Sequence, residues 1–97
     1  MKPTAAQVIA KEDLEHLRFP HEAVLLTDAH RSALKKKVAR AVQLGNGEHG
    51  KCRILFRDSE GLKAVETTIW SADDRTLVLK YGTTIPLGRV IDIEMPL

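Results

Sequence analysis

Three groups of residues have the types and spacing that chemistry needs. The stretch GNGEHGKC (45–52) sets Gly45, Gly50 and Lys51 in the register of a phosphate-binding loop, with Cys52 where a serine or threonine hydroxyl should be. Cys52 lies close to His49, the pairing of a thiol with a base that nucleophilic catalysis uses. Asp73 and Asp74 are adjacent carboxylates of the kind that serve acid/base work.

Context turns each of these toward structure. A phosphate-binding loop follows a strand and opens a helix, so that free amides face the phosphates. Here the pattern reads helix, loop, strand, and a thiol is a poor magnesium ligand beside a hydroxyl. Gly45 is expected instead to end the helix in a left-handed turn, with Asn46-Gly47 continuing the reversal. Cys52 begins an alternating segment on its inward set, where a thiol acts as a small apolar filler. His16, His21, His30 and His49 lack metal-ligand spacing, and the two aspartates diverge from a turn. The expectation is a protein that is not an enzyme, with no catalytic residue, no metal and no cofactor.

Charge offers a different chemistry. Between Asp28 and Gly50 the chain carries Arg31, Lys35, Lys36, Lys37 and Arg40 against Asp28 and Glu48, which concentrates the formal excess of +2 in one segment. If all five cations met phosphates, binding would carry a log–log salt slope of about −4 to −5. The alternative is that KKK is a solvated helix face. Aromatic support is thin, because the chain has only Phe19, Phe56, Trp70 and Tyr81, and at least two look committed to the core.

The elements that position these residues follow from periodicity. The 97 residues are enough for one domain with a modest core. The segment TDAHRSALKKKVARAVQLG predicts a helix capped by Thr27 or Asp28, with Leu34, Val38, Ala41 and Val42 on one stripe. Five strands are expected after it, in KCRILFRD, KAVETTIW, RTLVLKY, TTIPL and VIDIEM. Their side chains alternate, and DSEG, SADD and Gly82 supply turns. Pro86 belongs at an edge or bend. Five short strands joined by tight turns are expected to roll into a small barrel that pairs its edges. Leu55, Trp70 and Val78, on the alternate face, would receive the helical stripe. The domain reading is therefore an arm over 1–27, loosely docked and with a short helix in AKEDLEHL, followed by a helix-plus-barrel unit over 28–97.

The span from ILFRDSEG through VETTIW, TLVLKYG and IPLGRVIDI resembles the small barrels of Sm-like and Rof-type proteins, in which a helix precedes the barrel. Its ending, IPLGRVIDI, is similar to that of WYL domains, although the tryptophan-tyrosine-leucine triplet is absent. The combination LGN, VETTIW and IPLGR resembles short uncharacterised bacterial proteins and implies no reaction. The resemblance implies a mainly β, α+β fold: a five-stranded SH3-like or Sm-like barrel packed against one amphipathic basic helix. Relatives of that architecture bind RNA, a small ligand or a protein, and Arg89, just before the closing strand, is the position to watch. The functional expectation is a binding module for nucleic acid, using Arg31, Lys35, Lys36, Lys37, Arg40 and Arg89. A protein-interaction adaptor is the alternative. A single cysteine and the absence of any secretory or membrane-spanning apolar run lead to the expectation of a cytoplasmic protein with no membrane partner.

Overall fold

The computed structural model of the protein describes residues 6–95. Thr27 starts the long helix α1 (Asp28–Glu48): it is extended, and its hydroxyl accepts the His30 amide at 3.0 Å. The helix continues past Gly45, and the left-handed residue that ends it is His49, with φ of 54°. The His49 and Gly50 amides donate to the carbonyls of Gly45 and Leu44, closing the last turn. Asn46 and Gly47 are helical, not the turn expected of them. Gly45 is needed for another reason. A Cβ there would run into the Ile69 carbonyl oxygen, so the glycine lets the helix lie directly on the strand beneath.

Six strands follow α1 where the sequence predicts five, and one more joins from the amino terminus. Strand β1 (Gln7–Ile9) runs parallel to β3 (Leu62–Thr67); β3 pairs antiparallel with β2 (Cys52–Arg57), and β2 with β7 (Val90–Glu94). A second, antiparallel sheet holds β4 (Ile69–Ala72), β5 (Thr76–Leu79) and β6 (Thr84–Pro86). Pro86 lies on the edge strand β6, where its missing donor costs no ladder bond.

Two sheets replace the expected closed five-stranded barrel. The single strand read from KAVETTIW breaks at Thr68, whose carbonyl accepts the Lys80 amide at 2.9 Å, and the chain passes there from one sheet to the other. The outer edge of β3 is covered by β1 rather than by barrel closure. The far edge of β7 lies along α1, where His30 Nε2 is 2.7 Å from the Ile91 carbonyl.

One core lies between the sheets and the helix. Ile54, Phe56, Val65, Val90 and Ile93 come from the first sheet, Ile69, Leu77, Leu79 and Ile85 from the second, and Leu34, Val38 and Ala41 from α1. The stripe read on the helix is therefore core, but its seat is different. The helix packs on β4 and β7 rather than on the Leu55, Trp70 and Val78 face, and Trp70 stays 42 % exposed. The amino-terminal zone also enters the core: a 3₁₀ turn (Lys11–His16) buries Leu14 to 2 % exposure. Each fully buried aliphatic of this kind contributes ~1.5–3 kcal/mol.

Candidate nucleic-acid interface

Packing of Leu34, Val38, Ala41 and Gly45 against the sheets decides where the cations of α1 go. Arg31, Lys35, Lys36 and Arg40 are exposed, and they span ten residues, about 14 Å of helix from first to last. Lys37 turns the other way and pairs with Asp92 on β7 at 2.7 Å, so its charge is balanced within the fold. Arg89 is remote from these in role: its Nε donates to the Arg57 carbonyl at 3.0 Å and its Nη1 to the Glu22 carbonyl at 2.6 Å. It ties the segment before α1 to the end of β2. Of the six cations read from the sequence, four stay exposed, Arg31 and Lys35 on one side of α1 and Lys36 and Arg40 farther round it.

Arg31 and Lys35 also form one wall of a groove of about 530 Å³. Leu26, Val38, Val42, Ala72 and Leu87 give it an apolar lining, and Asp73 and Asp74 stand on the β4–β5 turn opposite the helix. The Asp73 carboxyl is held below its ordinary value by the amides of Arg75 and then Thr76, both at 2.8 Å. This turn puts negative charge across from Arg31 and Lys35, whereas Lys36 and Arg40 do not line that groove.

The aromatic residues divide cleanly. Phe19 and Phe56 meet in the interior with ring centroids 5.8 Å apart. Trp70 and Tyr81 are exposed and adjacent, with centroids at 6.2 Å and a tilt of 59°. Lys11 and Lys80 each hold an ammonium 5.3 Å from the Tyr81 centroid. Sequence reasoning put Trp70 on the outward phase of its strand but covered it with the helix. That phase, with a tyrosine beside a turn glycine, was the available signal.

The residues considered for catalysis are used by the fold. Cys52 is 1 % exposed, its Sγ lies 3.5 Å from the Thr67 carbonyl, and burial pushes its thiol pKa up to about 11, the opposite of an activated nucleophile. His49 caps α1, and the GNGEHGKC stretch runs from helix end to strand start. Among the described residues no three histidine, cysteine, aspartate or glutamate side chains converge as a metal site, and no helix is long and apolar enough to cross a membrane. Comparison of the chain with protein-family models, with curated proteins and with solved structures found no match in any of the three.

Proposed function

We propose that the protein is a non-enzymatic binding module for nucleic acid, with α1 as the element that meets the phosphates. The supporting observation is the exposure on α1 of Arg31, Lys35, Lys36 and Arg40, none of which is in an ion pair among the described residues. We read the surrounding architecture as a relative of the small helix-plus-barrel modules, opened between its two sheets. Four phosphate contacts give a log–log salt slope of about −3 on single strands, so affinity falls about 50-fold between 50 and 200 mM salt. The test is fluorescence anisotropy of a labelled 12-nucleotide strand across that range. Replacing Lys36 and Arg40 by glutamine should flatten the slope by about 1.5. A salt-independent or absent signal removes the proposal.

A protein-interaction adaptor is the second reading, favoured by the apolar groove between α1 and the β4–β5 turn. Its occupant would be an apolar peptide with acidic groups toward Arg31 and Lys35. Replacing both Asp73 and Asp74 by lysine separates the two readings within the same anisotropy assay. The exchange strengthens nucleic-acid binding if phosphates pass along the helix, and leaves it unchanged if the groove serves a peptide alone.

A further inference from the structure

We infer that Trp70, Tyr81, Lys80 and Lys11 form a base-stacking site, and that the nucleic acid this module takes is single-stranded. The inference rests on the proposal above for its ligand class, but it assigns the base contacts to a different surface from the cations of α1.

Three separate segments build the site. Trp70 comes from β4, Lys80 and Tyr81 from the β5–β6 reversal, and Lys11 from the 3₁₀ turn after β1. None of the four side chains belongs to the buried core. Tyr81 is 73 % exposed and Trp70 42 %, and they are the two exposed aromatic side chains among the described residues. A pair of rings at 6.2 Å with a 59° tilt offers π-faces in two directions, and stacking on such faces is tolerant of base identity. The ammonium groups of Lys11 and Lys80 lie over the Tyr81 ring at 5.3 Å, so a base that stacks there displaces them from the ring toward its own backbone phosphates. Glu15, which also borders the Tyr81 turn, lies 3.6 Å from His16.

The backbone under Tyr81 argues that the ring is kept for its own sake. Tyr81 and Gly82 both have positive φ, 68° and 85°. Reversals with two successive left-handed residues favour Asn-Gly, and a bulky residue at the first of them is strained. Here the chain has tyrosine where asparagine would be easier, and the ring does not enter the core in return. Strain carried by a ring that packs only against other exposed side chains points to a functional surface.

Beside Trp70 the surface drops into an open cleft of about 560 Å³ lined by Asn46, His49, Thr68 and Lys80. Asn46 and His49 lie at the carboxy-terminal end of α1, so a base stacked on Trp70 meets hydrogen-bonding groups at its edge. In a duplex the base faces are already stacked, and these rings would have nothing to cover. The two lysines favour a polyanion over a neutral proline-rich peptide, the other ligand that paired exposed aromatics accept.

Trp70 is the only tryptophan of the chain, so its fluorescence reports this site directly. Titrating the full chain with 12-nucleotide oligothymidylate at 50 mM salt should give saturable quenching, and a 12-base-pair duplex should give little. Tyr81→Asn removes the ring and suits the left-handed backbone, so the variant stays at least as stable by thermal melting while affinity falls about 5- to 100-fold. Lys36→Gln with Arg40→Gln should flatten the salt slope and leave the quenching amplitude intact. Salt-sensitive binding without quenching overturns the stacking site and leaves the helix proposal standing. Quenching with a salt slope indifferent to the helix exchanges removes the helix proposal and leaves the stacking site. Equal quenching by the duplex, or quenching by decaproline and not by oligothymidylate, overturns the single-strand assignment, and no binding of any probe overturns both proposals.

Discussion

Asp58 and Lys63 show how much one residue pair can decide. Lys63 faces inward from β3 opposite Phe56, a position that alternation alone would give to an apolar side chain. Its ammonium reaches the Asp58 carboxylate at 2.6 Å, and both side chains are buried. Asp58 also accepts the amides of Glu60 and Gly61 at 2.8 and 3.0 Å, which shapes the DSEG turn. Burial alone would raise the Asp58 pKa, but the hydrogen bond from Lys63 and the two amides outweigh it and hold the carboxyl below its ordinary value. A carboxyl with a depressed folded-state pKa stabilises the fold above its unfolded value, near 3.8, and that contribution is lost as pH falls through the lower folded value. Asp58→Ala leaves Lys63 buried with only the exposed Glu60 carboxylate, 3.3 Å away, and the expected cost at pH 7 is about 2–3 kcal/mol. Urea denaturation should show that difference shrinking as the pH is taken below about 4. A cost that is flat from pH 7 to pH 2 would show that the ion pair contributes nothing.

Among the elements, α1 is the one whose placement has functional weight, because the face it buries fixes the face it presents. Gly45 sets that placement by letting the helix contact the backbone of β4. Gly45→Ala improves helix propensity by about 1 kcal/mol but drives a methyl group into the Ile69 carbonyl. Overpacking of this kind costs ~1–3 kcal/mol, so the net effect expected from thermal melting is a loss. The displaced helix should also disturb the cleft beside Trp70 and shift its emission maximum. A stabilised Gly45→Ala variant would mean that helix and strand are not in close contact. The helix itself was legible from its cap and stripe, as were β2 and the strands after Asp73. The role of Gly45 was not, because a glycine near a helix end reads equally well as a stop or as a point of close approach.

At the scale of the molecule, the segment before α1 is held at several points, with Leu14 in the core, β1 on β3 and Arg89 fastening the chain at Glu22. The Val24 amide adds a bond to the Gly88 carbonyl at 2.8 Å. Arg89→Ala removes two charge-assisted donors to carbonyls, with an expected loss of about 1 kcal/mol. Hydrogen exchange should then speed at Val24 more than in β2. If exchange is unchanged while nucleic-acid affinity falls, Arg89 acts on the ligand and not as a fastening. The candidate surface was half legible in the same way. The cations of α1 were visible as a charge run, but the withdrawal of Lys37 by Asp92, 55 residues away, could not be read from local sequence.

What the sequence by itself determined is whatever depends on neighbours along the chain: the helix cap at Thr27, the alternation of β2, the aspartate turns, the basic run and the poor fit to a phosphate loop. What only the tertiary structure decided is whatever depends on distant partners. It split one expected strand at Thr68, gave the edge of β3 to the amino-terminal β1, buried Lys63 with Asp58, and left Trp70 uncovered beside Tyr81. Periodicity reports which side of a strand a residue faces. Whether water, a helix or another ring occupies that side is settled by long-range packing, and at Trp70 it is the difference between core and surface.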